Sequence, residues 1–149
     1  MTSHSLEEFA NRVVELMPAI MSGFFKQQTA DFYKMKITLP QLVVLGVLDK
    51  HGETRMSDLA GLMNVTTAAI TGIADRMVRD GYLVRASDPE DRRIVKVKLT
   101  AKGISIAQKA DDHKKKMMMK MFGMISEGER KEYLKILEHI HDHITETSH

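Results

Sequence analysis

The sequence contains no cysteine, and this absence excludes several kinds of chemistry at once. A chain without thiols forms no disulfide, offers no thiolate to a metal ion and cannot sense oxidants through a thiol. The sequence also lacks any apolar run near the roughly 18 residues of a membrane span, and its N-terminal end lacks the apolar segment of a secretory signal. We therefore expect a cytoplasmic protein that has no membrane partner.

Patterns that carry catalysis or hold a cofactor are missing as well. No nucleophile is paired with a base, no glycine-rich loop is placed to hold phosphate, and no strong set of metal ligands occurs. The 149 residues do have 43% hydrophobic and 28% charged side chains, which is the balance of one globular domain. We expect a binding protein without catalytic residues, bound metal or cofactor.

The positive charge is small and unevenly distributed. Residues 1–50 carry five basic and five acidic side chains, residues 104–149 carry eight of each, and residues 51–103 carry nine basic and seven acidic ones. The whole surplus of +2 therefore lies in the middle third. Such a surplus does not identify a nucleic-acid partner by itself, because proteins that never bind nucleic acid often have one.

Helical spacing begins near the N-terminus. One amphipathic helix is predicted by apolar residues at intervals of three and four: Leu6, Phe9, Val13, Met17, Ile20 and Phe24. Pro18 has no backbone N–H, which predicts a kink or a break there. A second, buried helix is predicted to begin after Thr38, which forms a capping-box pattern with Gln41, and to end at Gly52.

The middle third predicts two short helices joined by a tight turn, the helix–turn–helix arrangement. Ser57 is the expected N-cap of the first helix, and Thr66 is that of the second, which extends to about Asp80. The turn lies at Asn64 and Val65. Apolar residues expected to face inward are Leu59, Ala60, Leu62 and Met63 in the first helix, and Ile70, Ile73, Ala74, Met77 and Val78 in the second. An ion pair between Asp75 and Arg79 is expected on the outer face.

A β-hairpin is predicted directly after the second helix. Its strands are residues 82–86 and 94–99, since alternate side chains would share a face: Val95, Val97 and Leu99 on one, Lys96 and Lys98 on the other. The loop SDPEDRR between them has two arginines at its tip. A helix–turn–helix followed by a hairpin is a winged helix, so we expect a mainly α fold with a small sheet. Thr100 and Ser126 are expected to begin two further helices.

The flanking helices have apolar stripes that the winged helix does not use. The stripe of the last helix is Tyr133, Leu137, Ile140 and Ile144. Packing the two ends of the chain together and doubling them about a two-fold axis would bury these stripes and place two winged helices about 34 Å apart, one turn of DNA. We expect one domain of residues 1–149, in which residues 37–99 form the winged helix–turn–helix and residues 1–36 and 100–149 form dimerisation helices.

In this order of elements, the sequence resembles the MarR family of transcriptional regulators over nearly its whole length. ITLPQLVVL resembles the family's Leu-Thr-x-x-Gln opening of the second helix, and SDLAGLMNVTTAAITGIADRMVRDGYLVR resembles its helix–turn–helix. DPEDRRIVKVKLTAKG resembles the wing signature, Asp-x-x-Asp-x-Arg followed by Leu-Thr-x-x-Gly. The resemblance implies a homodimer that binds a near-palindromic double-stranded operator, usually as a repressor, and releases it when a small-molecule effector binds between the dimerisation helices and the winged helices.

The resemblance also implies roles for residues of the hairpin. Arg93 matches the wing arginine that enters the minor groove, and Asp91 matches the acid that orients it. A guanidinium is attracted by the negative potential of a narrow A·T-rich groove, and a nearby carboxylate can hold its fork in place. Arg92 and Lys96 are expected to contact phosphate.

On the second helix of the helix–turn–helix, the resemblance implies base-reading positions at Thr66, Thr67, Ala68 and Thr71. Arg76 fits a backbone or base contact at the far end of the same helix. Gly72 departs from the family pattern, in which a larger polar or basic residue is common at this position. Which bases are read therefore stays open.

Other interpretations stay open beside this one. The chain could be a dimeric ligand- or protein-binding module of the same fold that does not bind DNA. His139 and His143, four residues apart, have a spacing that can chelate a divalent metal and would suit a metal-responsive regulator, although cationic histidines also favour a helix C-terminus. An effector pocket or a plain core could be built by Met17, Pro18, Met21, Phe24 and Phe25.

Overall fold

The computed structural model describes residues 5–28 and 34–147, without the side chains of residues 25–28. Within this part of the chain, six helices and three strands confirm the predicted mainly α winged helix. Their bounds are α1 (Leu6–Gln28), α2 (Leu39–His51), β1 (Thr54–Arg55), α3 (Met56–Leu62), α4 (Thr67–Arg79), β2 (Leu83–Ser87), β3 (Val95–Leu99), α5 (Ala101–Phe122) and α6 (Glu127–Glu146). The chain divides into two compact units, and the boundary between Lys114 and Lys115 falls inside α5. No described helix is both long and apolar enough to cross a membrane.

Helix α1 continues through Pro18, so of the predicted kink or break the break is wrong, and the kink stays a prediction. Pro18 removes one backbone hydrogen bond, and this loss is not enough to end the helix, which continues to Gln28. The predicted apolar stripe is open to solvent within the single chain, since Phe9 is 59% exposed and Ile20 is 39% exposed. The apolar face of α1 is therefore available to another surface.

Helix α2 is capped at both ends as predicted. The Thr38 hydroxyl accepts the N–H of Gln41, and the Gln41 side chain accepts the N–H of Thr38 at 2.9 Å. Gly52, with φ 73°, follows the last turn and donates its N–H to the Leu48 carbonyl at 2.8 Å. The core of the first unit gathers around the buried residues of this helix, Val44, Leu45 and Leu48.

The start of α3 differs from the prediction. The helix begins at Met56, its N-cap is Arg55 without a side-chain capping bond, and Ser57 is therefore not the N-cap. The reason is β1, a two-residue strand that the sequence pattern does not reveal and that leads the chain directly into the helix. Met56 is buried, whereas Leu62, predicted to face inward, is 53% exposed.

Helix α4 follows the predicted turn and has the predicted cap. Asn64 has φ 52°, a left-handed conformation that asparagine adopts more readily than most residues. The Thr66 hydroxyl accepts the N–H of Ala69 at 3.1 Å. The buried face of the helix consists of Ile70, Ala74 and Met77. The opposite face is left to solvent, as a recognition helix requires.

The three strands form one antiparallel sheet in the order β1–β3–β2. Leu83 pairs with Leu99 in the β2–β3 hairpin, and Thr54 of β1 pairs with Val97 on the other edge of β3. Both hairpin strands begin one residue later than predicted. Val97 is 1% exposed and its neighbour Lys98 faces solvent, which confirms the predicted alternation.

The loop between β2 and β3 is held in shape by its own hydrogen bonds. The Asp88 N–H donates to the Ile94 carbonyl at 2.9 Å, and the Ile94 N–H donates to the Asp91 carbonyl at 3.0 Å. The Asp88 carboxylate accepts the Glu90 N–H at 2.9 Å and lies 3.1 Å from the Lys96 ammonium. These contacts, first the Glu90 N–H and then Lys96, lower the pKa of the Asp88 carboxyl. The tip of the hairpin therefore has a defined shape.

In the second unit, a short connection joins the end of α5 to α6. The Arg130 guanidinium donates to carbonyls that the end of α5 leaves without a helical partner, including that of Phe122 at 3.1 Å. Ser126 begins α6 as predicted, in a capping box with Glu129. No residue of α6 is buried within the single chain, so its predicted apolar stripe is also uncovered.

Replacing Leu59 with alanine should lower the free energy of unfolding by about 2–5 kcal/mol, because this fully buried side chain would leave a cavity. Leu62→Ala, in the same helix, is the matched control and should change the free energy by less than about 1 kcal/mol, since Leu62 is 53% exposed. Chemical denaturation followed by circular dichroism measures both values. Equal losses in the two variants would contradict the faces assigned to α3.

Lowering the pH should remove the contribution of Asp88 to stability. Its pKa in the fold lies below the ordinary value of 3.8, so the contribution is present above that value and is lost as the pH falls through the lowered pKa. Asp88→Asn should lower Tm near neutral pH, and the difference from wild type should shrink once the pH falls below 3.8 and through the lowered pKa. Glu90→Gln, which removes the same charge from the same loop, is the control. A Tm difference for Asp88→Asn that is independent of pH would rule out this account.

Candidate nucleic-acid interface

An open groove of about 480 Å³ lies between the start of α3, the first half of α4 and the hairpin. It brings Thr67 and Thr71 of α4 to the same surface as Arg93 of the hairpin loop, and all three are predicted DNA-binding residues. The rest of its lining is Arg55, Met56, Ser57, Arg85, Ile94 and Val95. Three guanidinium groups and three hydroxyl groups therefore line one surface beside the exposed face of α4.

Arg93 extends from the tip of the hairpin, and its side chain is 94% exposed. Its backbone N–H donates to the Asp91 carboxylate at 3.0 Å, and its Nε lies 3.7 Å from the same carboxylate oxygen. Asp91 thus shapes the turn and holds the near end of the guanidinium. Because the ion pair engages Nε, the terminal nitrogens can form a fork-like contact with another acceptor.

The threonines at the start of α4 use their hydroxyl groups in different ways. The Thr66 oxygen accepts the Ala69 N–H as the helix cap. The Thr71 hydroxyl donates its proton to the Thr67 carbonyl at 2.7 Å, so it offers a partner its lone pairs and its methyl group. Thr67 and Ala68, in the first turn, are exposed.

Six of the predicted residues are not part of the groove lining: Thr66, Ala68, Arg76, Asp91, Arg92 and Lys96. Arg76 and Arg92 are exposed. Lys96 differs from them, because its side chain is only 28% exposed and its ammonium lies 3.1 Å from Asp88 and 3.9 Å from Glu53. A cation between two carboxylates is less available to phosphate than a free one, so the main contact of Lys96 is with the base of the loop.

Two arginines of the groove, Arg55 and Arg85, were not among the predicted residues. The Arg85 guanidinium lies 2.5 Å from the Asp75 carboxylate of α4, which corrects the predicted pairing of Asp75 with Arg79. This ion pair joins the recognition helix to the hairpin. Alternation within β2 places Arg85 on the same face as buried Leu83, but only the folded hairpin brings Asp75 within reach of it.

The C-terminal histidines contact each other on α6. The rings of His139 and His143 are stacked with centroids 4.7 Å apart, and the His143 Nδ1 lies 3.2 Å from the His139 carbonyl oxygen. Within residues 5–28 and 34–147, no group of three or more His, Cys, Asp or Glu side chains could hold a metal ion. The spacing therefore brings two rings together without a third ligand among the described side chains.

The residues suggested to wall an effector pocket lie along α1. Met17 and Pro18 are exposed, and Met21 and Phe24 are half-buried. The side chain of Phe25 lies outside the described residues.

Comparison with known proteins identifies the relatives of this chain. The model of the MarR family matches residues 37–95, from α2 into β3. The HTH-type transcriptional repressor MdtR of Bacillus subtilis is 31% identical over 125 residues, which are 84% of this chain and 81% of MdtR. The HTH-type transcriptional regulator YfiV of the same organism is 37% identical over 71 residues, which are 48% of this chain and only 44% of YfiV.

The fold is shared with solved structures as well. FabT from Streptococcus pneumoniae, solved in complex with DNA, matches with a TM-score of 0.79 and 22% identity, over 92% of this chain and 98% of FabT. At that identity the likeness shows a common fold. The match to MdtR over most of both chains is stronger, and it includes the segment that the family model covers. This chain belongs to the MarR family.

Proposed function

We propose that this protein is a transcriptional regulator that binds double-stranded DNA at specific sequences and acts as a repressor. The observation that carries the proposal is the surface shared by Thr67, Thr71 and Arg93, where an exposed helix face adjoins a hairpin tipped with arginine. Two comparisons support it, because FabT has the same fold and was solved with DNA, and MdtR is named a repressor.

Helix α4 suits the major groove, which is about 12 Å wide and admits one α-helix. Its first half carries the short side chains of Thr67, Ala68 and Thr71 and has no side chain at Gly72, so the backbone can come close to the base edges. The Thr71 methyl group suits contact with a thymine methyl, and its hydroxyl oxygen can accept a hydrogen bond from an adenine or cytosine amino group. Arg76, further along the helix, would contact a base or the backbone.

The hairpin suits the minor groove beside it. The exposed guanidinium of Arg93 would be attracted by the negative potential of a narrow, A·T-rich groove, and Asp91 would keep it aimed. Arg92 at the tip and Arg55 in the groove would contact phosphate, which fixes register without reading sequence. Lys96 would act chiefly through the shape of the loop, with phosphate contact as a lesser role.

We infer a homodimer in which residues 1–36 and 100–149 supply the interface and residues 37–99 supply each reading head, all within one domain. The support is the exposed apolar stripes of α1 and α6, since monomers rarely leave large apolar patches open. Two heads related by a two-fold axis would meet half-sites about 34 Å apart on a near-palindromic operator.

Release by a small-molecule effector would follow if the effector bound a state of the dimer in which the heads no longer match the operator. A ligand shifts such an equilibrium only by its difference in affinity for the two states. The pocket would lie between the dimerisation helices and the reading heads. A regulator of this kind works where the chromosome is, so the same proposal places the protein in the cytoplasm.

Arg93→Ala should lower operator affinity by about 1–3 kcal/mol, roughly 5- to 150-fold, and leave the dimer intact, because it removes the minor-groove contact and no core atoms. Operators are first selected from a pool of random double-stranded DNA. Fluorescence anisotropy at several salt concentrations then gives the affinity and its salt slope, which changes by about 0.9 for each phosphate that the protein no longer neutralises.

Lys109→Ala is the control for Arg93→Ala, because it removes one positive charge from an exposed position of α5 outside the groove. It should stay within about twofold of wild type. Unchanged binding by Arg93→Ala would show that the hairpin arginine does not touch the operator. If the wild type selects no DNA from the pool, the chain is better described as a ligand- or protein-binding module of this fold.

Ile140→Asp should weaken the dimer on the order of 100-fold, because it places a charge in the apolar stripe of α6 that the partner would bury. Lys135→Asp introduces the same group on the polar side of the same helix and should have little effect. Sedimentation velocity across a concentration series measures both. A variant at residue 140 that stays as dimeric as wild type would exclude α6 from the interface.

A further inference from the structure

Three successive carbonyls at the end of α4 are bound by the start of α5. The Lys102 ammonium donates to the Asp80 carbonyl at 2.8 Å, and the Thr100 hydroxyl donates to the Gly81 carbonyl at 2.5 Å. The Thr100 N–H donates to the Tyr82 carbonyl at 3.0 Å. The Lys102 ammonium also lies 4.7 Å from the centre of the Tyr82 ring. We call these contacts, between residues 80–82 and 100–103, the clasp.

Gly103 allows the clasp to close. A Cβ atom at this position would lie 2.2 Å from the Tyr82 carbonyl oxygen and 3.2 Å from its carbonyl carbon, and neither backbone atom can rotate away. The Gly103 N–H donates to the Thr100 oxygen at 3.1 Å, so this hydroxyl accepts from α5 while it donates to Gly81. Only a residue without a side chain lets α5 begin this close to the end of α4.

The direction in which the chain leaves α4 is fixed as well. Gly81 has φ 82°, a conformation that residues with a side chain rarely adopt. The buried contacts of α4, through Ile70, Ala74 and Met77, are apolar and non-directional. Hydrogen bonds to three consecutive carbonyls depend on angle as well as distance. The clasp is therefore a directional attachment of α4 at its C-terminal end, in addition to the pairing of β2 with β3.

We propose that the clasp sets the orientation of the recognition helix on α5, and through it the separation of the two reading heads in the dimer. Thr100, Lys102 and Gly103 are then positioning residues that act on DNA recognition without touching DNA. The inference rests on the proposed function, because it requires two heads on one operator. Helix α5 begins at Ala101, directly at the clasp, so the clasp sets the orientation of α4 against the first turn of α5.

Because α4 is long, a small rotation of this helix at the clasp would displace its other end by several ångströms. The 13 residues of α4 span about 20 Å at 1.5 Å per residue. A rotation of about 10° at one end would move the other end by about 3 Å, close to the 3.4 Å rise of one base pair. Two-fold symmetry would apply the displacement to both heads. Loss of the clasp should therefore relax the preferred spacing between half-sites.

The absence of cysteine allows a direct measurement in the full-length chain. A single spin label at Arg79→Cys, on the exposed last turn of α4, reports one distance between the two recognition helices of a dimer. Double electron–electron resonance should give a narrow distance distribution with the native clasp. Adding Thr100→Val and Lys102→Met, which remove the hydroxyl and ammonium groups and keep most of the bulk, should about double its width.

The same clasp variant without the label should bind the selected operator more weakly, on the order of tenfold, because a helix whose orientation is no longer fixed must be ordered when it binds DNA. It should also discriminate less than wild type among operators whose half-site spacing is one base pair shorter or longer. Thr100→Ser with Lys102 left native keeps both donor groups and should leave both properties as in wild type. Gly103→Ala should show the same defects if it folds, and Lys109→Met is the control for loss of a lysine.

A merely structural role for the clasp would lower Tm and reduce affinity equally at every spacing, with the distance distribution as narrow as before. That result would overturn the inference and leave the proposed function standing. If the labelled protein with the native clasp gave no dipolar signal, there would be no dimer, and both the inference and the proposed dimer would fall. A broader distribution with a flatter spacing preference in the clasp variant, and neither change in Thr100→Ser, is the result that supports the clasp.

Discussion

Backbone pairing along β3 is the constraint on which the rest of the surface proposed to bind DNA depends. This strand bonds to β1 on one edge and to β2 on the other, so the chain entering α3 and the chain leaving α4 are attached to the same five residues. A slip of one residue would move Val97 out of the core and a lysine into it, which disfavours any other register. The register thereby fixes both ends of the helix–turn–helix and the point at which the loop with Arg93 emerges.

Acidic residues help to position the cations of the surface that we propose binds DNA. Three carboxylates each hold one cation in place, in the pairs Asp75–Arg85, Asp88–Lys96 and Asp91–Arg93. The first joins α4 to the hairpin, the second holds the base of the loop, and the third holds the arginine at its tip. The small net charge of +2 is consistent with a surface that depends on where its cations lie more than on how many there are.

Local signals predicted most of the fold because each depends on residues close together in the chain. The capping pair of Thr38 and Gln41, the cap at Thr66 and the alternation along the hairpin are complete within a few positions. The sequence could not show β1, because two residues have no readable period and their partner strand lies far along the chain.

The same limit applies to the residues of the proposed DNA-binding site. Arg93 is apparent as a loop tip, whereas the partners of Arg85 and Lys96 exist only once the hairpin has folded against its neighbours. The DNA contacts, the dimer and the effector pocket stay predictions, since each requires a second molecule.

The internal bonding of the hairpin loop has a consequence for how quickly a target could be found. A loop that folded only on its cognate site would have to order itself at each trial position, which adds a conformational step to every encounter. Here Asp88, Asp91 and Ile94 already fix the turn in the free chain. The guanidinium at the tip of the loop would then meet each successive base step in the same position. The rate of scanning along non-cognate DNA would depend on counterion exchange at the phosphates and not on ordering of the loop.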